Sequence, residues 1–150
     1  MKRILFFLLF ANIAFSCDKQ YYTSIPNVPV TLDLNLNGLD VKLNAKLACE
    51  VFTQRRVETE RLGFGGILVI NGVGANQVDL YAYDLACPVE VQSNIRIVPD
   101  STGVTARCPK CGTVYNIADG TGSPKTGSTK YFLKSYRVFG NGTQQYSVVN

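Results

Sequence analysis

Apolar and polar residues alternate along much of the chain, as they do in β-strands that bury one face. The alternation is clearest from 30 to 37 and resumes from 41 to 47, with Asn37-Gly38 as a turn between the two segments. Further strands are predicted at 66–70, 78–84, 95–98, 104–107, 113–117, 131–139 and 145–149. No segment has a helical period longer than about two turns. We therefore predict an all-β fold, an antiparallel sandwich or barrel with at least seven strands after residue 27.

The N-terminus resembles the signal peptide of a bacterial lipoprotein. Lys2 and Arg3 precede an apolar run from 4 to 15, which is too short to span a bilayer of about 30 Å. The small residues before Cys17 are similar to a lipobox, in which the cysteine is acylated, whereas ordinary cleavage nearby would leave it unmodified. The resemblance implies a signal peptide at 1–16, a lipidated tether at 17–27 and a folded domain at 28–150. We expect the mature protein in the cell envelope, anchored to a membrane through Cys17 and facing the periplasm or the cell exterior.

Charge and composition exclude several functions. The formal net charge of +4 falls by the two charges of Lys2 and Arg3 to +2 when the signal peptide is removed, and no basic patch remains for nucleic acid. The chain has no histidine to serve as a catalytic base, and the Gly-rich run 63–66 is interpreted as a turn before a buried strand. We therefore do not expect an enzyme. The charged segment 55–61 is predicted to be solvated.

The order of motifs from 66 to 149 resembles a Rieske domain. It contains DLACP at 84–88, RCPKCG at 107–112 and DGTGSP at 119–124, with predicted strands between them. Together with the lipobox, the chain is similar to Rieske-like lipoproteins in which the cluster ligands are often incomplete. The resemblance implies a sandwich of small stacked antiparallel sheets, with two cysteine-bearing loops at one tip.

The Rieske pattern is Cys-x-His followed by Cys-x-x-His, and it binds a two-iron two-sulfur (2Fe-2S) cluster with two cysteines on one iron and two histidines on the other. By position, Cys87 and Cys108 match the two cysteines, whereas Val89 and Cys111 stand where the histidines belong. A cluster of this usual type therefore cannot form. The resemblance also implies a hydroxyl donor at Thr113, and a capping loop at 122–124 that contains Pro124.

Four roles for the cysteines remain open. A disulfide could join Cys87 to Cys108 or Cys111, because a secreted chain matures in an oxidising compartment. A thiolate-ligated 2Fe-2S cluster could use all three, with Glu90 or Cys49 as the fourth ligand. Zinc is the third possibility, since Cys-Pro-Lys-Cys-Gly is also half of a zinc knuckle. The fourth is a redox pair of Cys108 and Cys111, although a strand rather than a helix is predicted after it.

Two functions follow from these alternatives. The first is a non-redox binding or structural module of the envelope that carries a disulfide in place of the cluster. The second is an electron-transfer protein with a thiolate-ligated 2Fe-2S cluster. Both predict that Cys87 lies beside Cys108 and Cys111, and Cys49 is otherwise interpreted as a buried free thiol.

Overall fold

The computed structural model describes residues 22–150. The predicted signal peptide at 1–16 and the predicted lipidation site, Cys17, lie outside this range. Among the described residues, no helix combines the length and the apolar character that crossing a membrane requires.

The described chain forms eleven β-strands and one short helix. The strands are β1 (Val30–Asn35), β2 (Cys49–Phe52), β3 (Arg61–Leu62), β4 (Ile67–Asn71), β5 (Leu80–Asp84), β6 (Val98–Pro99), β7 (Thr105–Arg107), β8 (Val114–Asn116), β9 (Pro124–Thr126), β10 (Ser135–Gly140) and β11 (Gln145–Val149). The helix is a single 3-10 turn, Val41–Asn44. The predicted all-β fold is therefore confirmed, with more strands than the minimum predicted from the sequence.

The strands form two antiparallel sheets. The larger sheet has seven strands in the order β2-β4-β5-β10-β11-β1-β3 and nearly closes on itself, and the smaller has four in the order β6-β7-β8-β9. All of their pairings are antiparallel, as in β1 and β11, where Leu32 lies opposite Val148. The two cysteine-bearing segments follow one strand of each sheet, β5 and β7.

The alternation in the sequence explains the larger sheet. Val30, Leu32 and Leu34 of β1 are buried and the residues between them are exposed, so one face of this strand contributes to the core. All five residues of β4 are buried, because this strand is covered on both faces. One apolar core fills the space beside β1, and a second lies beneath the cysteines, formed by residues that include Leu68, Leu85, Ile97, Tyr115 and Ile117.

The strand predicted at 41–47 is wrong. Val41–Asn44 forms the 3-10 helix, in which Leu43 is buried while Val41 is 59% exposed. Asp40 favours the turn, because its carboxylate accepts a hydrogen bond from the backbone N–H of Asn35 at 2.7 Å. The alternation of apolar and polar residues in this segment therefore does not indicate a strand, because the 3-10 turn buries only one of the apolar side chains, Leu43.

The prediction that the segment 55–61 is solvated is only partly correct, because Glu60 is buried. The Arg56 guanidinium lies 2.7 Å from the Asp40 carboxylate and 2.9 Å from the Glu60 carboxylate, and it also stacks on the Phe52 ring. Asp40 is 1% exposed and Glu60 is 4% exposed, so both charges are buried against one cation. These contacts hold the loop that joins β2 to β3, the two edge strands of the nearly closed sheet.

The predicted tether 17–27 packs against the domain from Tyr22 onward. Ile25 is buried, and the backbone N–H of Phe132 donates to the carbonyl of Tyr22 at 2.8 Å. The Ser24 hydroxyl donates to the carbonyl of Pro88, which directly follows Cys87 in the chain. The N-terminal part of the described chain therefore lies beside the first cysteine loop.

Candidate metal centre

Three cysteines from separate parts of the sequence meet in the structure. Cys87 follows β5, and Cys108 and Cys111 lie in the turn between β7 and β8. The Sγ atoms of the three residues all lie within 4.8 Å of one another. The predicted proximity of Cys87 to Cys108 and Cys111 is thus confirmed, and we refer to these residues as the three-cysteine centre.

The turn between β7 and β8 holds two of the thiols. The backbone N–H of Cys108 donates to the carbonyl of Thr113 at 2.9 Å, and the N–H of Gly112 donates to the carbonyl of Cys108 at 3.0 Å. Gly112 has a φ of +72°, a left-handed conformation that glycine adopts without steric cost. This reversal brings Cys111 back beside Cys108, which explains why a glycine follows the second cysteine.

The loop after Cys87 is equally constrained. The Cys87 carbonyl accepts hydrogen bonds from the N–H groups of Glu90 at 3.2 Å and Val91 at 2.9 Å. The Cys87 N–H donates to the carbonyl of Ile95 at 3.0 Å. Val91 has a φ of +52°, which is unfavourable for a β-branched residue. Such strain persists only where the surrounding contacts fix the loop, and here they fix the position of Cys87.

A buried carboxylate, that of Asp84, fixes the start of the loop that contains Cys87. Asp84 is fully buried and accepts four hydrogen bonds, from the N–H groups of Phe64, Gly65 and Ala86 and from the Tyr136 hydroxyl, at 2.6–2.9 Å. It therefore joins the Gly-rich turn, β10 and the residue before Cys87. Asp84 was not among the site residues predicted from the sequence, although a lone charge in the apolar run LYAYDLA was a usable signal.

The three thiols differ in exposure, and Cys87 and Cys111 also differ in acidity. Cys87 and Cys108 are buried, whereas Cys111 is exposed. Burial raises the pKa of the Cys87 thiol to about 12, although the backbone amides of Glu90 and Val89 oppose this. Burial also acts to raise the pKa of Cys111, but hydrogen bonds from the Thr113 hydroxyl and amide, helped by the other two cysteines, lower it overall. Cys111 is therefore the more readily ionised of these two thiols.

Polar groups surround the sulfur atoms. The Thr113 hydroxyl lies 3.3 Å from the Cys111 Sγ, and the Tyr115 hydroxyl lies 3.8 Å from the Cys87 Sγ. The pKa of the Tyr115 hydroxyl is raised, mainly by burial and to a smaller extent by the nearby Cys87. This hydroxyl therefore stays protonated and can act as a donor. At the rim, the Lys110 ammonium forms a 2.7 Å ion pair with the Glu90 carboxylate.

Other residues selected from the sequence take different positions. Pro124 begins β9 and lies opposite Tyr115, and a Cβ atom added to Gly127 would lie 2.8 Å from the Thr113 hydroxyl oxygen. Val89 is 40% exposed and has no atom that binds a metal. Neither Glu90 nor Cys49 joins the group of potential ligands, so the prediction of either as a fourth ligand is not supported. Cys49 is a free, partly buried thiol on β2, close to its interpretation from the sequence.

All four cysteines among the described residues are free. The disulfide predicted between Cys87 and Cys108 or Cys111 is therefore not formed in this structure. The Cys87 and Cys111 Sγ atoms lie 3.6 Å apart, whereas a disulfide bond measures about 2.05 Å.

No family model, curated protein or solved structure matches the chain. The Rieske resemblance consequently stays a prediction from the sequence, and the function has to be argued from the three-cysteine centre.

Proposed function

We propose that the protein is an envelope-anchored binding module whose three-cysteine centre holds a single thiophilic divalent ion, with zinc as the preferred candidate. The observation that carries this proposal is the convergence of three Sγ atoms within 4.8 Å. Thiolates of cysteine are the ligands that zinc and other soft ions prefer.

The spacing of the sulfur atoms supports one ion. With Zn–S bonds of about 2.3 Å and tetrahedral angles, two thiolates on the same ion lie about 3.8 Å apart. The Cys87 and Cys111 Sγ atoms are already 3.6 Å apart. Because no pair of the three exceeds 4.8 Å, each sulfur needs only a small movement to bind a common ion.

A 2Fe-2S cluster fits the described residues less well. Such a cluster takes four protein ligands. The described residues bring together three thiols and no further cysteine, aspartate or glutamate, and the chain contains no histidine. The electron-transfer alternative consequently requires a ligand that residues 22–150 do not supply at this centre.

Charge also favours a divalent ion. Three thiolates and one divalent cation carry a net charge of −1, and the Lys110 ammonium, although it is paired with Glu90, also interacts with the charges of Cys108 and Cys111. Without a metal, the buried Cys87 thiol is protonated at neutral pH because its pKa is raised to about 12. Metal binding therefore releases this proton, and affinity for the ion should increase with pH.

Metal content of the purified protein tests the proposal. We expect one zinc ion per chain by native mass spectrometry, and its loss in Cys108→Ser, which removes a buried ligand. Cys49→Ser is the matched control, because this thiol lies outside the three-cysteine centre, and it should retain the ion. A metal-free wild-type protein with all thiols reduced, after exposure to zinc, would contradict the proposal.

A disulfide-bearing structural module is the second candidate, and the 3.6 Å separation of the Cys87 and Cys111 Sγ atoms supports a bond between these two residues. Its signature is a mass lower by two hydrogens and the absence of metal. A brown colour after anaerobic preparation with iron would instead support the electron-transfer alternative. In each case the proposed anchor is a lipid on Cys17, which places the module on the outer side of a membrane.

A further inference from the structure

The three-cysteine centre is closed on its inner side. Cys87, Cys108 and Tyr115 are fully buried, and they belong to the apolar core that also contains Leu85 and Ile97. No ligand can approach an ion from this direction without disrupting the core.

The opposite side of the centre is open. Cys111 is exposed, and a Cβ atom added to Gly112 would meet nothing within 4 Å. The side chain of Lys110 is 55% exposed at the same rim. An ion bound by the three sulfurs would therefore face solvent beside Cys111.

Residues 22–150 offer no fourth ligand on this open side. The Glu90 carboxylate is paired with Lys110 at 2.7 Å, and it does not join the group of potential ligands. Cys49 likewise stays outside, with its thiol directed to the carbonyl of Leu47 at 3.7 Å. Structural zinc sites have four protein ligands, whereas a site with three keeps one position for an external ligand.

Resting on the proposed function, we infer that the fourth position of the bound ion takes a thiolate from outside the chain. The three sulfur ligands select a soft ion, which favours sulfur in its fourth position as well, and the Lys110 ammonium lies at the same rim, paired with Glu90. On binding, the external thiol gives its proton to solvent and its sulfur displaces water from the ion, with no change of oxidation state. Small-molecule thiols and the cysteine of a partner protein share this chemistry.

Cobalt(II) substitution measures the number of sulfur ligands directly. The full chain in detergent is loaded with Co²⁺, and the sulfur-to-cobalt charge-transfer band is recorded before and after addition of 2-mercaptoethanol. We expect the intensity to rise by about one third as three Co–S bonds become four. A peptide with a single cysteine should produce the same rise if it reaches the ion, and a response to the small thiol alone would assign the site to small-molecule thiols.

Three variants serve as controls. Cys111→Ser should start at about two thirds of the wild-type intensity, because one Co–S bond is lost. Lys110→Met should weaken the affinity for the thiol about two- to fivefold, since the exposed charge contributes modestly. Cys17→Ser should behave as the wild type, which shows that the thiol of Cys17 does not fill the position.

The possible results separate the inference from the proposed function. An intensity that does not change with thiol means that no external sulfur binds the ion, and this result overturns the inference alone. If Glu90→Gln then restores the response to thiol, Glu90 is the closing ligand. Failure of the wild type to bind Co²⁺ overturns the proposed function together with the inference.

Discussion

Replacing Asp84 by Asn should destabilise the protein and loosen the three-cysteine centre. The change preserves the shape of the side chain but converts one carboxylate oxygen into an NH₂ group. Oδ1 accepts from Gly65 and Ala86, and Oδ2 accepts from Phe64 and the Tyr136 hydroxyl. All four partners are donors, so the amide NH₂ has no good position.

The least unfavourable orientation puts the NH₂ group at the Oδ2 position, because the Tyr136 hydroxyl can turn and accept. The backbone N–H of Phe64, now 2.8 Å from Oδ2, then loses its acceptor. An unsatisfied buried donor costs about 1–3 kcal/mol, and loss of the charge from the remaining hydrogen bonds adds about 1 kcal/mol. We therefore expect the free energy of unfolding to fall by about 2–4 kcal/mol.

Urea unfolding followed by circular dichroism measures this change for the metal-free protein. Asp33→Asn is the matched control, because Asp33 is exposed on β1 and should change stability by less than about 0.5 kcal/mol. The neutral amide oxygen should hold the N–H of Ala86, next to Cys87, more weakly than the carboxylate does, so the affinity for Co²⁺ should fall about tenfold. A destabilisation of Asp84→Asn no larger than that of Asp33→Asn would refute the reasoning.

Three further predictions concern pH, the buried ion pairs and the anchor. The pKa of Cys87 is raised from 9.0 to about 12, so the folded state keeps a proton that the unfolded chain loses, and metal-free stability should decline between about pH 9 and pH 12. The decline is up to about 1.4 kcal/mol per pH unit, and thermal unfolding of Cys87→Ala should show a shallower slope if this thiol causes it. Arg56→Met leaves two buried carboxylates (Asp40 and Glu60) without a cation and should cost about 2–4 kcal/mol in urea unfolding; a cost below about 1 kcal/mol contradicts their burial as charges. Cys17→Ala should abolish acylation and shift the protein from the membrane fraction, and a membrane-bound mature variant would rule out the lipobox.

The sequence predicts strands well where alternation and turn signals agree. The segment 145–149 is a strand with the predicted bounds, and 66–70 differs from β4 by one residue at each end. Strand β2 is missed because its sequence, CEVF, has no clean alternation, and Val51 in it is exposed. Edge strands such as β2 receive little of the burial on which a hydrophobic pattern depends.

Long-range polar contacts are the second kind of feature that the sequence does not reveal. The ion pair of Arg56 with the buried Asp40 joins residues 16 apart, and the hydrogen bond from Tyr136 to Asp84 joins residues 52 apart. Neither spacing is a periodicity of a helix or strand, so no local pattern indicates that these charges are buried. The grouping of Cys87 with Cys108 and Cys111 was predictable only because the motif order resembles a family in which those loops face each other.

Val89 and Cys111, the two positions that depart from the Rieske pattern, both disfavour a second iron. Val89, at the position of the first histidine, cannot bind a metal and is 40% exposed. Cys111, at the position of the second, has a shorter side chain than histidine, and its sulfur lies 3.6 Å from that of Cys87, within range of the same ion. The predicted Rieske resemblance thus implies that one departure removes a ligand of the outer iron and that the other moves the remaining ligand towards the inner metal position. It would account for the single-ion site that we propose here, and for an outer side that is open to an external thiolate.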